Sequence, residues 1–371
     1  ETDGLGGFAS GTVGLARTRR YHALLLRATT PPTGRMVLVS GFDASVETAA
    51  GTFAISSQQY APGVRHPDGA DRIAAFSREP WPTWEFALPG EVRIRQEILV
   101  EHGSGTVVLR WSMRGTGTTR LRVRLFHAGR DYHGLMHENP AFRFAADVRG
   151  AAVSVHPYDG VPPVLIETNA TYRHEPAWYR QFSYAEEVAR GLDATEDLAT
   201  TGEFEFELAP NRPGWCVLEA GDPSGFTGTA DGPLVDRTVV CARAAAVMER
   251  ERARRRQFRS PLDRAADAYL VRRGEGLTIV AGYPWFTDWG RDTFIAVRGL
   301  CLATGRLAEA RDILVEWAAT VSAGMLPNRF ADSGEQPEYN AVDASLWYVI
   351  AAAECLERGG GAGGVLTPAH Q

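Results

Sequence analysis

The spacing of the apolar residues changes once along the chain, and this limits the possible folds more than any other feature. From Glu1 to about Asp236 the spacing is mostly two. Val92, Ile94, Ile98 and Val100 alternate with Arg93, Arg95 and Glu97. Leu121, Val123 and Leu125 alternate with Arg120, Arg122 and Arg124, and Phe204, Phe206 and Leu208 with Glu203, Glu205 and Glu207. Successive side chains of a strand point to opposite faces, so each run reads as a half-buried antiparallel strand. Turn signals separate the runs: Pro31-Pro32-Thr33-Gly34, Pro89-Gly90, His102-Gly103-Ser104-Gly105 and Asn211-Arg212-Pro213-Gly214. Many strands joined by short turns predict a sheet-on-sheet sandwich over 1–236.

After Pro261 the spacing becomes 3.6. Leu307, Ala310, Leu314, Trp317 and Val321 lie on one helical face, and Val342, Leu346, Val349, Ala353 and Leu356 on another. Helices are expected over 261–273, 292–303, 306–322 and 342–357, with Thr304-Gly305 and Ala323-Gly324 as stops. Residues 237–260 read as a linker helix with a solvated basic face, and Ser260-Pro261 as the cap and first turn of the next helix. The resulting division is 1–236, 237–260 and 261–371. Short and long connections alternate, which suits helical hairpins set in a ring with the long loops, 274–291 and 324–341, on one rim.

At 371 residues with 44% hydrophobic content, the chain has enough apolar material for a large core in more than one domain. A formal charge of -6 gives no general attraction to nucleic acid or anionic membranes. The run Arg250, Arg252, Arg254, Arg255 and Arg256 lacks interleaved aromatics and is offset by Glu249 and Glu251, so nucleic acid is not an expected partner. No apolar run is long enough to span a membrane. Cys216, Cys241, Cys301 and Cys355 stand far apart among apolar residues, which predicts free buried thiols and a reducing, cytoplasmic setting. The chain starts without Met, in what reads as the middle of a motif, and is expected to be a fragment.

Two motifs are set aside. Gly4-Leu5-Gly6-Gly7-Phe8-Ala9 matches a loose dinucleotide fingerprint, but a poor helix start follows and no acidic residue stands about twenty positions on. Asp131, His133, His137 and Glu138 could be imagined around a metal, but Gly134 weakens a helical pairing of the histidines and the spacing fits no strong zinc signature. A hydrogen-bonded contact is expected there instead, and no metal. Trp178-Tyr179-Arg180 could touch a ligand or form a domain seam.

The densest chemistry lies in Tyr283-Pro284-Trp285-Phe286-Thr287-Asp288-Trp289-Gly290-Arg291-Asp292. These rings are too close in sequence to share one face of a regular element, so the stretch reads as a loop running into a helix. Flat rings beside charged groups suit a sugar: the rings cover its C–H faces and the Arg/Asp pair holds its hydroxyls. The alternative is a helix cap over an aromatic cluster, with Arg291 and Asp292 as a structural ion pair. The other rim loop adds Leu326-Pro327-Asn328-Arg329-Phe330, Glu335, Glu338-Tyr339-Asn340 and Asp343. Polar groups and aromatics thus converge at one end of an apolar bundle, as in small-ligand sites.

Several segments, in order and over nearly the whole chain, resemble the bacterial and archaeal glycogen debranching enzymes. Residues 4–12, Thr18-Arg19-Arg20-Tyr21-His22, Asp131-Tyr132-His133, His137-Glu138-Asn139-Pro140 and Trp178-Tyr179-Arg180 resemble that family's N-terminal domain. Residues 285–292, Pro327-Asn328-Arg329-Phe330, Tyr339-Asn340 and Asp343-Ala344-Ser345-Leu346-Trp347 resemble the start of its amylo-α-1,6-glucosidase domain. Asp3 replaces the usual Asn, and Ala23 the usual Gly.

The resemblance implies an N-terminal antiparallel β-sandwich followed by the first part of an (α/α)6 barrel. It implies hydrolysis, with inversion and without a cofactor, of the α-1,6-linked glucose at branch points of glycogen or limit dextrin. By the same resemblance Trp285, Trp289, Arg291 and Asp292 bind the terminal glucose, with Asn328, Arg329, Asp343 and Trp347 completing the pocket. Asp288 is a substrate-orienting or structural carboxylate and a weak candidate acid. The family's general acid and base are expected beyond Gln371, so the isolated chain is expected to be inactive and poorly stable. The other readings are a non-catalytic glycan-binding or scaffold protein, and another exo-acting glucosidase on the same barrel.

Overall fold

The computed structural model describes residues 1–221, 234–330 and 337–359. The chain forms two compact units. The first holds Glu1–Asp3, Phe8–Arg27 and Met36–Arg254; the second holds Gly4–Gly7, Ala28–Arg35 and the chain from Arg255 onward.

The first unit is built on two antiparallel sheets, as the period-two runs predict. Among the described residues one sheet orders Phe8–Ser10, Ala23–Thr30, Thr33–Thr48, Thr119–Asp131, Thr195–Leu208, Thr171–Ser183, Gln59–Tyr60 and Val64–Arg65. The other orders Ala146–Arg149, Ala152–Val155, Val164–Thr168, Gly214–Ala220, Val107–Arg114, Arg93–Val100, Thr83–Ala87 and Ile73–Ser77. Leu121, Val123, Phe204 and Phe206 of the first sheet and Ile94, Leu109, Trp111 and Leu218 of the second share one buried core. The alternation fails in Arg93–Val100, where Gln96 and Glu97 are both buried. Gln96 accepts the Trp111 indole N–H at 2.9 Å, and Glu97 that of Trp81 at 3.1 Å. The glycine-rich start leads into the strand Phe8–Ser10, with no helix after it.

Residues 237–255 are more than a spacer. The helix Arg237–Arg255 buries Ala244, Val247 and Met248 against Trp81, Leu99, Val108, Trp215 and Val217. Arg243 bridges Glu167 and Glu219, and Arg250 pairs with Glu101 at 2.7 Å. Its basic residues therefore meet acidic residues of the same unit. The polar run after Arg130 is likewise engaged within that unit. Arg130 and the Tyr184 hydroxyl meet Glu196, the His133 amide donates to Asp131 at 2.8 Å, and Glu138 pairs with Arg180. Trp178 packs edge-on against Phe142 and Phe144. Among the described residues no His, Cys, Asp or Glu form a group that could hold a metal. All four cysteines are free, and burial pushes the Cys216 and Cys301 thiols up to about 12.

The second unit carries the helices Pro261–Asp267, Gly290–Val297, Leu307–Ala318 and Val342–Arg358. Ser260 caps the first, its Oγ accepting the Asp263 amide at 3.1 Å. That helix ends early, because Leu270–Arg273, where continued helix is expected, pairs as a β-hairpin with Gly276–Ile279, which lies in the expected loop. Its two-residue turn, Gly274-Glu275, places Gly274 at φ +55°, a conformation that a two-residue hairpin requires. The last helix also departs from expectation. It buries Ala344, Ala351 and Cys355, whereas Val342, Leu346 and Val349 are 74%, 61% and 64% exposed. Small residues let this helix approach Phe294 and Trp317 closely, and the bulkier apolar stripe faces outward.

Candidate functional site

The aromatic stretch is a loop that enters the helix Gly290–Val297, and three anchors fix it within the second unit. Asp288 is the first. It is 0% exposed, and Arg273 at the end of the hairpin donates to both its oxygens, Nε to Oδ2 at 2.6 Å and Nη2 to Oδ1 at 2.9 Å. The Arg273 guanidinium also lies 3.8 Å from the centroid of Phe330, which packs on Trp317. A buried carboxylate in a bidentate clamp has its charge satisfied and no open face. Of the roles considered for Asp288, a buried carboxylate in this clamp suits the structural one.

Arg35 is the second anchor. Its Nη1 donates to the carbonyls of Phe286 at 2.9 Å and Pro284 at 3.5 Å, and its guanidinium lies 5.4 Å from the Tyr283 ring centroid. The third is backbone pairing. Trp289 bridges Arg329, and Arg329 bridges Glu338. The Gly290 amide donates to the Asn328 carbonyl at 2.7 Å, and the Asn328 amide to the Glu338 carbonyl at 2.7 Å. A Cβ on Gly290 would stand 2.5 Å from the Pro327 carbonyl oxygen, so this approach requires glycine.

On this frame Arg291 stands between two carboxylates. Its Nη2 is 3.7 Å from Asp292 Oδ2 and its Nη1 is 3.7 Å from Asp343 Oδ2. The three side chains are 43%, 41% and 48% exposed. At these distances the groups attract one another but make no hydrogen bond. Their donors and acceptors therefore stay available, unlike those of Asp288. Asp292 also sits in the first turn of its helix, where the backbone dipole favours a carboxylate.

The other predicted residues divide between this cluster and its support. Trp285, Phe286 and Trp289 form an edge-to-face series, with centroids 6.2 and 6.1 Å apart. Arg329 lies 5.6 Å from the Trp289 ring centroid and pairs with Glu338 at 2.5 Å. Asn328 serves the frame through its backbone, and its buried Oδ1 has no partner among the described residues. Trp347 packs on the helical core beneath Arg298, which pairs with Glu354 at 2.7 Å. Glu335 lies outside the described residues. Arg35 and Arg273 escaped the sequence reading. Arg35 is 251 positions from the carbonyl it holds, and neither residue carries a local signal.

Known proteins resemble this chain in matching segments. The family model described as "Glycogen debranching enzyme N terminal" matches residues 1–213, and the one described as "Amylo-alpha-1,6-glucosidase" matches residues 264–362. A relative described as "Glycogen debranching enzyme", from Saccharomyces cerevisiae, is 40% identical over 82 residues, which are 21% of this chain and 5% of that protein. A solved bacterial glucoamylase complexed with acarbose aligns over 96% of this chain and 57% of its own, with 11% identity and a TM-score of 0.46. The N-terminal match alone covers more than half of the sequence. The chain belongs to the glycogen debranching enzyme family.

Proposed function

We propose that this chain forms part of an inverting glycoside hydrolase that releases α-1,6-linked glucose at branch points of glycogen or limit dextrin. In this reading its helices are the first part of an (α/α)6 barrel. Arg291, Asp292 and Asp343 grip the hydroxyls of the terminal glucose, and Trp285 and Trp289 wall its C–H faces. Arg329, Asn328 and Trp347 support the pocket, and Asp288 positions the loop through Arg273. The observation that carries this reading is the half-open Arg291 cluster with no internal hydrogen bond, at the start of the helix that the Trp285, Phe286 and Trp289 loop enters.

Sugar hydroxyls bind well to such groups, because carboxylates accept from them and a guanidinium donates to them. This accounts for binding and orientation. Cleavage with inversion further needs an acid and a water-activating base about 6.5–9.5 Å apart. We assign neither role to Asp288, and we give Asp292 a binding role only.

The test is glucose release from a branched limit dextrin by the full-length gene product and its Asp292→Ala variant. Loss of charge-assisted bonds predicts a fall in kcat/KM of about tenfold to a hundredfold. Normal turnover by the variant would remove Asp292 from the site.

A further inference from the structure

The frame beside the Arg291 cluster puts three side chains in one row. Trp289 lies opposite Arg329, and Arg329 opposite Glu338, in antiparallel backbone bridges. Residues directly opposite in such pairs share a face, with Cβ atoms about 4.5–5.5 Å apart. The row therefore runs indole, guanidinium, carboxylate. The Arg329 guanidinium lies over the Trp289 ring, 5.6 Å from its centroid, and Arg329 Nη2 donates to Glu338 Oε1 at 2.5 Å. The other carboxylate oxygen of Glu338, Oε2, accepts from Asn340 Nδ2 at 3.3 Å.

The backbone and the side chain of Glu338 have separate partners. Its carbonyl accepts the Asn328 amide at 2.7 Å, and its amide donates to the Arg329 carbonyl at 3.0 Å. These bonds hold the ladder together and survive a change of side chain. The carboxylate instead grips Arg329. The two side chains are 32% and 37% exposed, and a pair in that setting adds little to stability. Its effect is on direction. A long arginine side chain has ample rotamer freedom, and a carboxylate at its far end confines the guanidinium to the indole. The cation is attracted to the electron-rich face of the ring, so the half-buried indole is held in turn.

We propose that Glu338 is a positioning residue of the terminal-sugar site, acting through Arg329 to hold Trp289 in the orientation that meets the sugar. The part played by Trp289 rests on the proposed function; the row of three side chains does not. A wall set before the sugar arrives spares the cost of ordering it on binding.

The test is the kinetics of glucose release from branched limit dextrin by the full-length gene product, in wild type, Glu338→Ala, Trp289→Ala and the double variant. Glu338→Ala should raise KM about twofold to fivefold and leave kcat nearly unchanged, because the wall touches bound substrate and transition state alike. Trp289→Ala should raise KM further than Glu338→Ala does. Adding Glu338→Ala to Trp289→Ala should then change nothing more, because Glu338 acts through the indole. Glu338→Gln, which keeps the side-chain length and loses the charge, carries the same comparison if Glu338→Ala does not fold. A wild-type KM in Glu338→Ala, or an equal rise with and without the indole, would overturn the role of Glu338 and leave the glucan reading standing. A wild-type KM in Trp289→Ala would overturn the part given to Trp289, and with it that of Glu338.

Discussion

Asp288 and Asp292 stand four positions apart and look equivalent in the sequence, yet their surroundings give them opposite consequences. Asp288 is fully buried on Arg273. Removing one partner of a buried pair leaves the other charge stranded, so Asp288→Ala should cost about 3–5 kcal/mol in urea unfolding. Asp292 is half exposed in a loose pair with Arg291, and such pairs contribute about 0–1 kcal/mol. Asp292→Ala should therefore unfold almost as the wild type does, while losing affinity for glucan ends. Equal destabilisation by both substitutions would contradict the division of roles. In the sequence only the resemblance separates the two acids, with Asp292 at the helix start as a sugar contact and Asp288 in the loop as a substrate-orienting or structural carboxylate. The distinction depends on Arg273, which ends a strand where the periodicity predicts helix.

At the scale of elements, the legible parts were those whose pattern and surroundings agreed. The Ser260 cap and the face Ala310, Leu314 and Trp317 follow the expected chemistry and periodicity. The final helix shows the limit of that reasoning, since its strongest apolar stripe is not the one it buries here. Periodicity identifies a helix with an apolar side but not which neighbour covers that side. If further helices of the proposed barrel pack on this stripe, Leu346→Lys should be nearly neutral in the 371-residue chain and cost at least 2 kcal/mol in the full-length product. Equal effects in the two proteins would count against that packing. The loop before Gly290 depends on Arg35, so Arg35→Ala should speed amide exchange over 283–289 and raise KM more than it lowers kcat. Unchanged exchange there would show that Arg35 is not an anchor.

For the whole molecule, the change of period matches the order of the elements, sheets first and helices after, because strands and helices differ in side-chain spacing. Buried polar groups were not legible in this way. His127 lies in a strand of the first sheet, fully buried, with neither ring nitrogen hydrogen-bonded among the described residues. Burial lowers its pKa from 6.5 to about 4. The unfolded chain therefore binds the proton first as the pH falls, and this contribution to stability, intact above 6.5, is lost between 6.5 and about 4. Between pH 7 and pH 5 the unfolding free energy should fall by about 2 kcal/mol less in His127→Leu than in the wild type.

The central claim is that the half-open Arg291 cluster receives the end of a glucan chain. The most direct measurement is a crystal structure of the full-length product with an oligosaccharide ending in glucose. The account predicts terminal-sugar hydroxyls about 2.7–3.2 Å from Arg291 and Asp292, with a ring of Trp285 or Trp289 against the sugar face. Sugar bound elsewhere, with Arg291 still engaged only by Asp292 and Asp343, would contradict it.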